Sequence, residues 1–140
     1  MRYVKISASQ YCLRLEKGDE ILQAINDFCK EAHVCTGYFH GIGATNSLTI
    51  SIYDQKQGRY IQQTLKQSLE ITSLSGNISL LNNEIYLHAH INASDYTLKV
   101  FGGHLNRAII SVTAEIFVTS YKKKILRKFD KTIGINLLKI

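Results

Sequence analysis

Only one stretch of this chain carries a helical period. Ile21, Leu22, Ile25, Phe28, Cys29 and Ala32 recur at helical spacing and predict a helix that begins after Gly18 and runs to about Ala32. Asp19 and Glu20 fall in its expected first turn, where negative charge favours the helix dipole. Everything else reads as strand. YVKIS and YCLRL precede the helix; VCTGYFHGIGA, SLTISIYD, RYIQQTL, LEITSLSGNISLL, EIYLHAHIN, LKVFGGH and AIISVTAEIFVTSY follow it, rich in β-branched and aromatic residues and divided by Gly, Asn, Asp and Ser. One helix among many short strands predicts an α+β domain with a mainly antiparallel sheet rather than alternating βαβ units. The chain has no proline, so glycine, Asn and Asp must supply the tight corners.

At 140 residues the chain fits a compact single domain over 1–140 and can bury a core without disulfides. It is 45% hydrophobic and 20% charged, and no apolar run approaches the roughly 20 residues needed to span a bilayer. Charges interrupt the first twenty residues every few positions, so no signal-peptide core is present and a cytoplasmic location is expected. Cys12, Cys29 and Cys35 are odd in number and lack C-x-x-C spacing, which favours reduced thiols packed as small hydrophobes over a thiol nucleophile.

The residues with most chemistry lie in HAHINASDYTLKVFGGH. Side chains two apart on a strand share a face, so His88 and His90 point the same way while Ala89 points the other. If Asp95, Tyr96 and Thr97 form a three-residue loop, Ser94 opposes Leu98, His88 opposes His104 and His90 opposes Gly102, whose missing side chain leaves a gap for an ion. Three neutral imidazoles with no nearby Cys, Asp or Glu at ligand spacing describe a divalent metal site, zinc first among the candidates, with an open position for water or a small ligand. The plainer reading is a solvated or hydrogen-bonded surface pair, and a one-residue slip would send His104 to the opposite face.

Other features carry alternatives of their own. Gly41 and Gly43 lack the third glycine and following helix of a dinucleotide fingerprint, so close strand packing or a bulge explains them. Glu70 and Glu115 sit in strongly apolar strands and are candidate acid/base or supporting groups, against the default of solvent-facing glutamates. The formal charge is +6, and much of the excess lies in Lys122, Lys123, Lys124, Arg127, Lys128 and Lys131. Such a run is ordinarily a solvated strand end, with Arg127 pairing Asp130 across a turn; the functional alternative is DNA phosphate binding that collapses as salt rises.

In order along the chain, HGIGA, SIYD, RYI, LEITSLSGNISL, HAHIN, VFGGHL, TAEIFV and RKFDKTIGINLL resemble the PPC domain, the plants and prokaryotes conserved domain also called domain of unknown function 296. LSGN at Leu74–Asn77, the His88 and His90 pair, and GGHL at Gly102–Leu105 are its most specific elements. The resemblance implies a PPC-like fold assembling as a homotrimer through sheet edges and apolar faces, and a three-histidine metal cluster at His88, His90 and His104. Plant relatives join this domain to an AT-hook, an Arg-Gly-Arg-Pro segment that enters the DNA minor groove. No such segment occurs here, so DNA binding is expected to be weak and non-specific.

Overall fold

The computed structural model describes all 140 residues. Nine strands and one helix follow in the order β1 (Arg2–Lys5), β2 (Gln10–Glu16), α1 (Ile21–Glu31), β3 (Gly37–Asp54), β4 (Arg59–Leu65), β5 (Leu69–Leu81), β6 (Glu84–Ser94), β7 (Val100–Ser120), β8 (Leu126–Asp130) and β9 (Ile135–Lys139). All pairings are antiparallel except a single β5–β8 bridge at Leu80 and Leu126. No helix is long and apolar enough to cross a membrane.

Two expected breaks are bridged. VCTGYFHGIGA from Gly37 onward joins SLTISIYD in one 18-residue strand, and LKVFGGH from Val100 onward joins AIISVTAEIFVTSY as far as Ser120 in one of 21 residues. Register shifts beside Gly43, Thr45, Ser47 and Thr49 absorb the irregularities without ending the ladder between β3 and β7. Just before these shifts, where Gly41 pairs with Ile116 of β7, a Cβ on Gly41 would lie 2.6 Å from the carbonyl oxygen of Glu115, so glycine is required by close strand approach, not by a nucleotide. The C-terminal hairpin β8–β9 was not expected as strands, because its charged, short segments gain stability only by docking.

The pairing closes on itself. β3 pairs β5, β5 pairs β6, β6 pairs β7, and β7 returns to β3, while β2 and then β1 extend from β7 and β4 covers the far half of β3. Alternation along each strand sends Phe39, Leu74, Ile78, Ala89, Ile91, Ala93 and Leu105 into the core and His88, His90, Asn92 and His104 away from it. Three thiols are free, and Cys29 is buried in the core.

Helix α1 packs Ile21, Ala24, Ile25, Phe28 and Cys29 into the same core as Leu13 and Leu15 of β2. It starts later than the periodicity predicts. Glu20 is the N-cap, in extended conformation, and Asp19 lies outside the helix, paired at 2.8 Å with the N-terminal ammonium. Glu20 does two jobs: its carboxylate accepts from the Gln23 amide at 2.7 Å and from the Ala108 amide of β7 at 3.0 Å. Glu20→Ala removes a cap and orphans a strand amide, so urea unfolding is expected to show a loss of about 2 kcal/mol, with Glu20→Gln losing less because it keeps one acceptor oxygen.

Candidate metal centre

The histidine face is built by three neighbouring strands. β6 contributes His88 and His90, β7 contributes His104, and β5 places Ser75 opposite His90, Asn77 opposite His88 and Ser79 opposite Tyr86. Hydrogen-bond register sets His90 directly opposite His104, not opposite Gly102, and Ser94 opposite Val100. The loop therefore spans Asp95 to Lys99, two residues longer than the sequence predicts. Asp95 organises it, its Oδ1 accepting from the Thr97 amide, the Thr97 hydroxyl and the Lys99 amide, while Leu98 takes a left-handed φ of 63°. A slip of two residues preserves face parity, which is why the three imidazoles still meet. Gly102 leaves no gap for an ion; it faces Asn92, whose side-chain oxygen fills the space a Cβ would need.

Imidazole centroids stand 5.2 Å (His88–His104), 5.3 Å (His88–His90) and 5.6 Å (His90–His104) apart. One nitrogen from each lies within 4.8 Å of the others. Nitrogens sharing a tetrahedral zinc at about 2.0–2.1 Å are about 3.4 Å apart, so small side-chain rotations close the set on one ion. His104 Nδ1 is buried without a hydrogen-bond partner, an orphaned lone pair or N–H that a metal ligand position would explain. Burial, then the Arg127 charge, then His104 and His90 push His88 down to about 4. Burial and then His90 also lower His104. Both rings are thus held in the neutral form that metals bind. The Tyr60 ring lies tilted against His104 with centroids 5.3 Å apart, and Tyr53 beside it donates its hydroxyl to the Ile133 carbonyl, tying the C-terminal hairpin to this face.

The carboxylate candidates do not join the cluster. Glu70 and Glu115 are exposed and line a groove with Ile42 and Thr72. Glu115 is separated from His90 by β5 and β3, and Glu70 pairs with Ser94, four residues or about 13 Å along β6 from His90. The basic run divides. Lys122, Lys123 and Lys124 lie exposed between β7 and β8, and Lys128 is exposed on β8, but Arg127 turns inward and is only 9% exposed. Its Nε donates to Ser79 Oγ, Nη1 to the Asn136 carbonyl and Nη2 to Asn77 Oδ1, each at 2.8 Å, and its guanidinium lies 4.8 Å from the Tyr86 ring. Arg127 is therefore not a phosphate contact and does not pair Asp130, which instead accepts from the Thr132 and Ile133 amides.

Sequence reasoning did not single out Ser75, Asn77 and Ser79 as neighbours of the histidines. Their signal was the alternation of polar residues with Leu74, Gly76, Ile78 and Leu80, which puts all three on one face of β5.

The family model described as the Plants and Prokaryotes Conserved domain matches residues 4–122. Among solved structures, a Bacteroides thetaiotaomicron protein named a "putative dna binding protein" is 34% identical with a TM-score of 0.95, covering 99% of this chain and 96% of its own. A "metal-containing protein" from Archaeoglobus fulgidus is 31% identical with a TM-score of 0.87, covering 98% and 97%. A plant- and prokaryote-conserved protein from Pyrococcus horikoshii is 33% identical with a TM-score of 0.87, covering 94% and 91%. No curated protein matches the sequence.

The lowered His88 makes stability depend on pH in a definite sense. In the unfolded chain it titrates near 6.5, in the folded protein at about 4. Above 6.5 both states are neutral and stability is full; between 6.5 and about 4 the unfolded chain binds a proton that the fold refuses, so stability falls. Urea midpoints of metal-free protein are expected to drop across this window, and to drop less steeply in His88→Asn.

Proposed function

The chain belongs to the Plants and Prokaryotes Conserved domain family, and within it we propose a homotrimeric protein whose His88, His90 and His104 hold a divalent metal, zinc foremost, with one coordination position open to water or a small ligand. The convergence of three imidazole nitrogens, one of them buried and unpartnered, carries this reading. Three nitrogen donors and no carboxylate match an open site rather than a closed structural one. A metal bound there supplies a Lewis acid and lowers the pKa of bound water. The protein's part is to keep His88 and His104 neutral and to hold all three imidazoles on adjacent strands. The metal-containing Archaeoglobus relative supports the same reading. No reaction is assigned, because neither Glu70 nor Glu115 stands beside the cluster to move a proton.

Support for self-association comes from the apolar residues Ile6, Tyr38, Ile42 and Phe117, which stand exposed around two adjoining grooves that meet at Phe117. Protein purified without a histidine tag is expected to contain about one zinc per chain, the stoichiometry of a single open site. His90→Ala should lose that metal while light scattering still gives the mass of a trimer. Metal retained by the variant would refute the site.

A second reading, DNA association, is favoured by the name of the Bacteroides relative and by the exposed Lys122, Lys123, Lys124 and Lys128. With Arg127 withdrawn into the fold, this surface offers point charges and no group aimed at base edges. Binding to duplexes is expected to be weak at physiological salt and to strengthen as salt falls. Neutralising Lys122, Lys123 and Lys124 together should flatten the salt dependence without changing preference among sequences, as read by fluorescence anisotropy.

A further inference from the structure

We propose that the histidine site is built to take an oxyanion, a carboxylate or phosphate, with the Asn77 amide as its second contact and Arg127 as the residue that sets that amide; this rests on the metal reading above. Ser75, Gly76, Asn77, His88 and His90 line a shallow depression that contains no acidic and no apolar side chain. Two of these groups are already spoken for as metal ligands. Ser75 and Asn77 are the polar side chains left to meet whatever occupies the open position.

Asn77 is oriented, not free to flip. A guanidinium has only donors, so the Nη2 bond at 2.8 Å fixes the amide oxygen toward Arg127. The amide NH2 is then the end of Asn77 left for the depression it lines. Arg127 is itself held by Ser79 Oγ and the Asn136 carbonyl, so the amide cannot turn without breaking a buried network. A donor held in place beside an open coordination position selects a ligand that presents an acceptor oxygen.

Charge points the same way. Arg127 is nine-tenths buried, yet every acceptor it meets is neutral, and none of the three ion pairs in the protein includes it. Buried charges ordinarily find a partner of opposite sign. The Tyr86 ring compensates part of this charge through its face. A divalent ion on three neutral imidazoles adds two further positive charges on the same sheet face, again with no carboxylate in the ligand set. An anion is the missing component, and the donors at Ser75 and Asn77 make it an oxyanion.

The test uses the full-length protein loaded with cobalt(II), whose visible spectrum reports the fourth ligand. Acetate and inorganic phosphate are titrated separately, with metal affinity measured in the presence and absence of each. A saturable spectral change and tighter metal binding are expected, since coupling between two ligands is reciprocal. Response to both anions supports a shared oxyanion site, and response to one alone names the source. Asn77→Asp keeps an oxygen toward Arg127 but replaces the donor with a negative charge, so cobalt should still bind while oxyanion affinity falls by about tenfold or more. Arg127→Lys keeps the charge but cannot hold Asn77 and Ser79 together; it should weaken the anion response while leaving the anion-free cobalt spectrum unchanged, a split that a purely structural role would not give. Cobalt that binds but ignores both anions, or anion affinity unchanged in Asn77→Asp, overturns this inference and leaves the metal reading standing. Failure of the wild-type protein to bind cobalt overturns both.

Discussion

The antiparallel ladder between β3 and β7 is what the rest of the molecule hangs on. It runs from Gly37 opposite Ser120 to Ser51 opposite His104, through three register shifts. Because each of the two is longer than any of its other neighbours, β7 meets β2 along one half and β6 along the other, and β3 meets β5 and then β4. That division closes the ring through β5 and β6. Buried alternate residues of the ring, covered by Ile21, Ile25 and Phe28 of the helix, form one core. Backbone hydrogen bonds and burial thus come from the same strands, leaving α1 to cap one side.

The site is a by-product of the same alternation. On β6, Ala89, Ile91 and Ala93 satisfy the core, so His88, His90 and Asn92 must face out. On β7, burial of Leu105 turns His104 outward beside them. Gly76, opposite Ala89, lets the Phe39 ring lie under this face, since a Cβ there would strike it. His88 and His104 gain semi-burial and neutral rings from a rigid sheet rather than from a flexible loop, which suits a pre-set ligand position, while His90 stands exposed beside them.

Arg127 joins fold and site. It docks the C-terminal hairpin by reaching Asn136 on β9 and Ser79 and Asn77 on β5, and Tyr53 reinforces the contact through the Ile133 carbonyl. Its charge therefore serves the interior of the molecule, while its sequence neighbours Lys122 to Lys124 remain in solvent. Adjacent basic residues divide between two roles because strand alternation turns Arg127 inward and Lys128 outward.

Local pattern was enough to read the single helix, most strands, the antiparallel class and the common face of His88 and His90, because periods of 3.6 and 2.0 are written in residue order. It was also enough to read Gly41 and Gly43 as packing residues. Pattern could not tell that two strand pairs were continuous, since a bulge keeps a ladder going through residues that look like a turn. The loop length at Asp95, hence the partner of each histidine, was settled by the hydrogen bonds around Asp95 and by pairing with β3. Only the tertiary structure decided that Glu70 and Glu115 lie apart from the histidines and that Arg127 is buried among Ser79, Asn77 and Tyr86. Those outcomes depend on which strands become neighbours, and strand neighbours are chosen by long-range closure of the sheet, which local sequence does not encode.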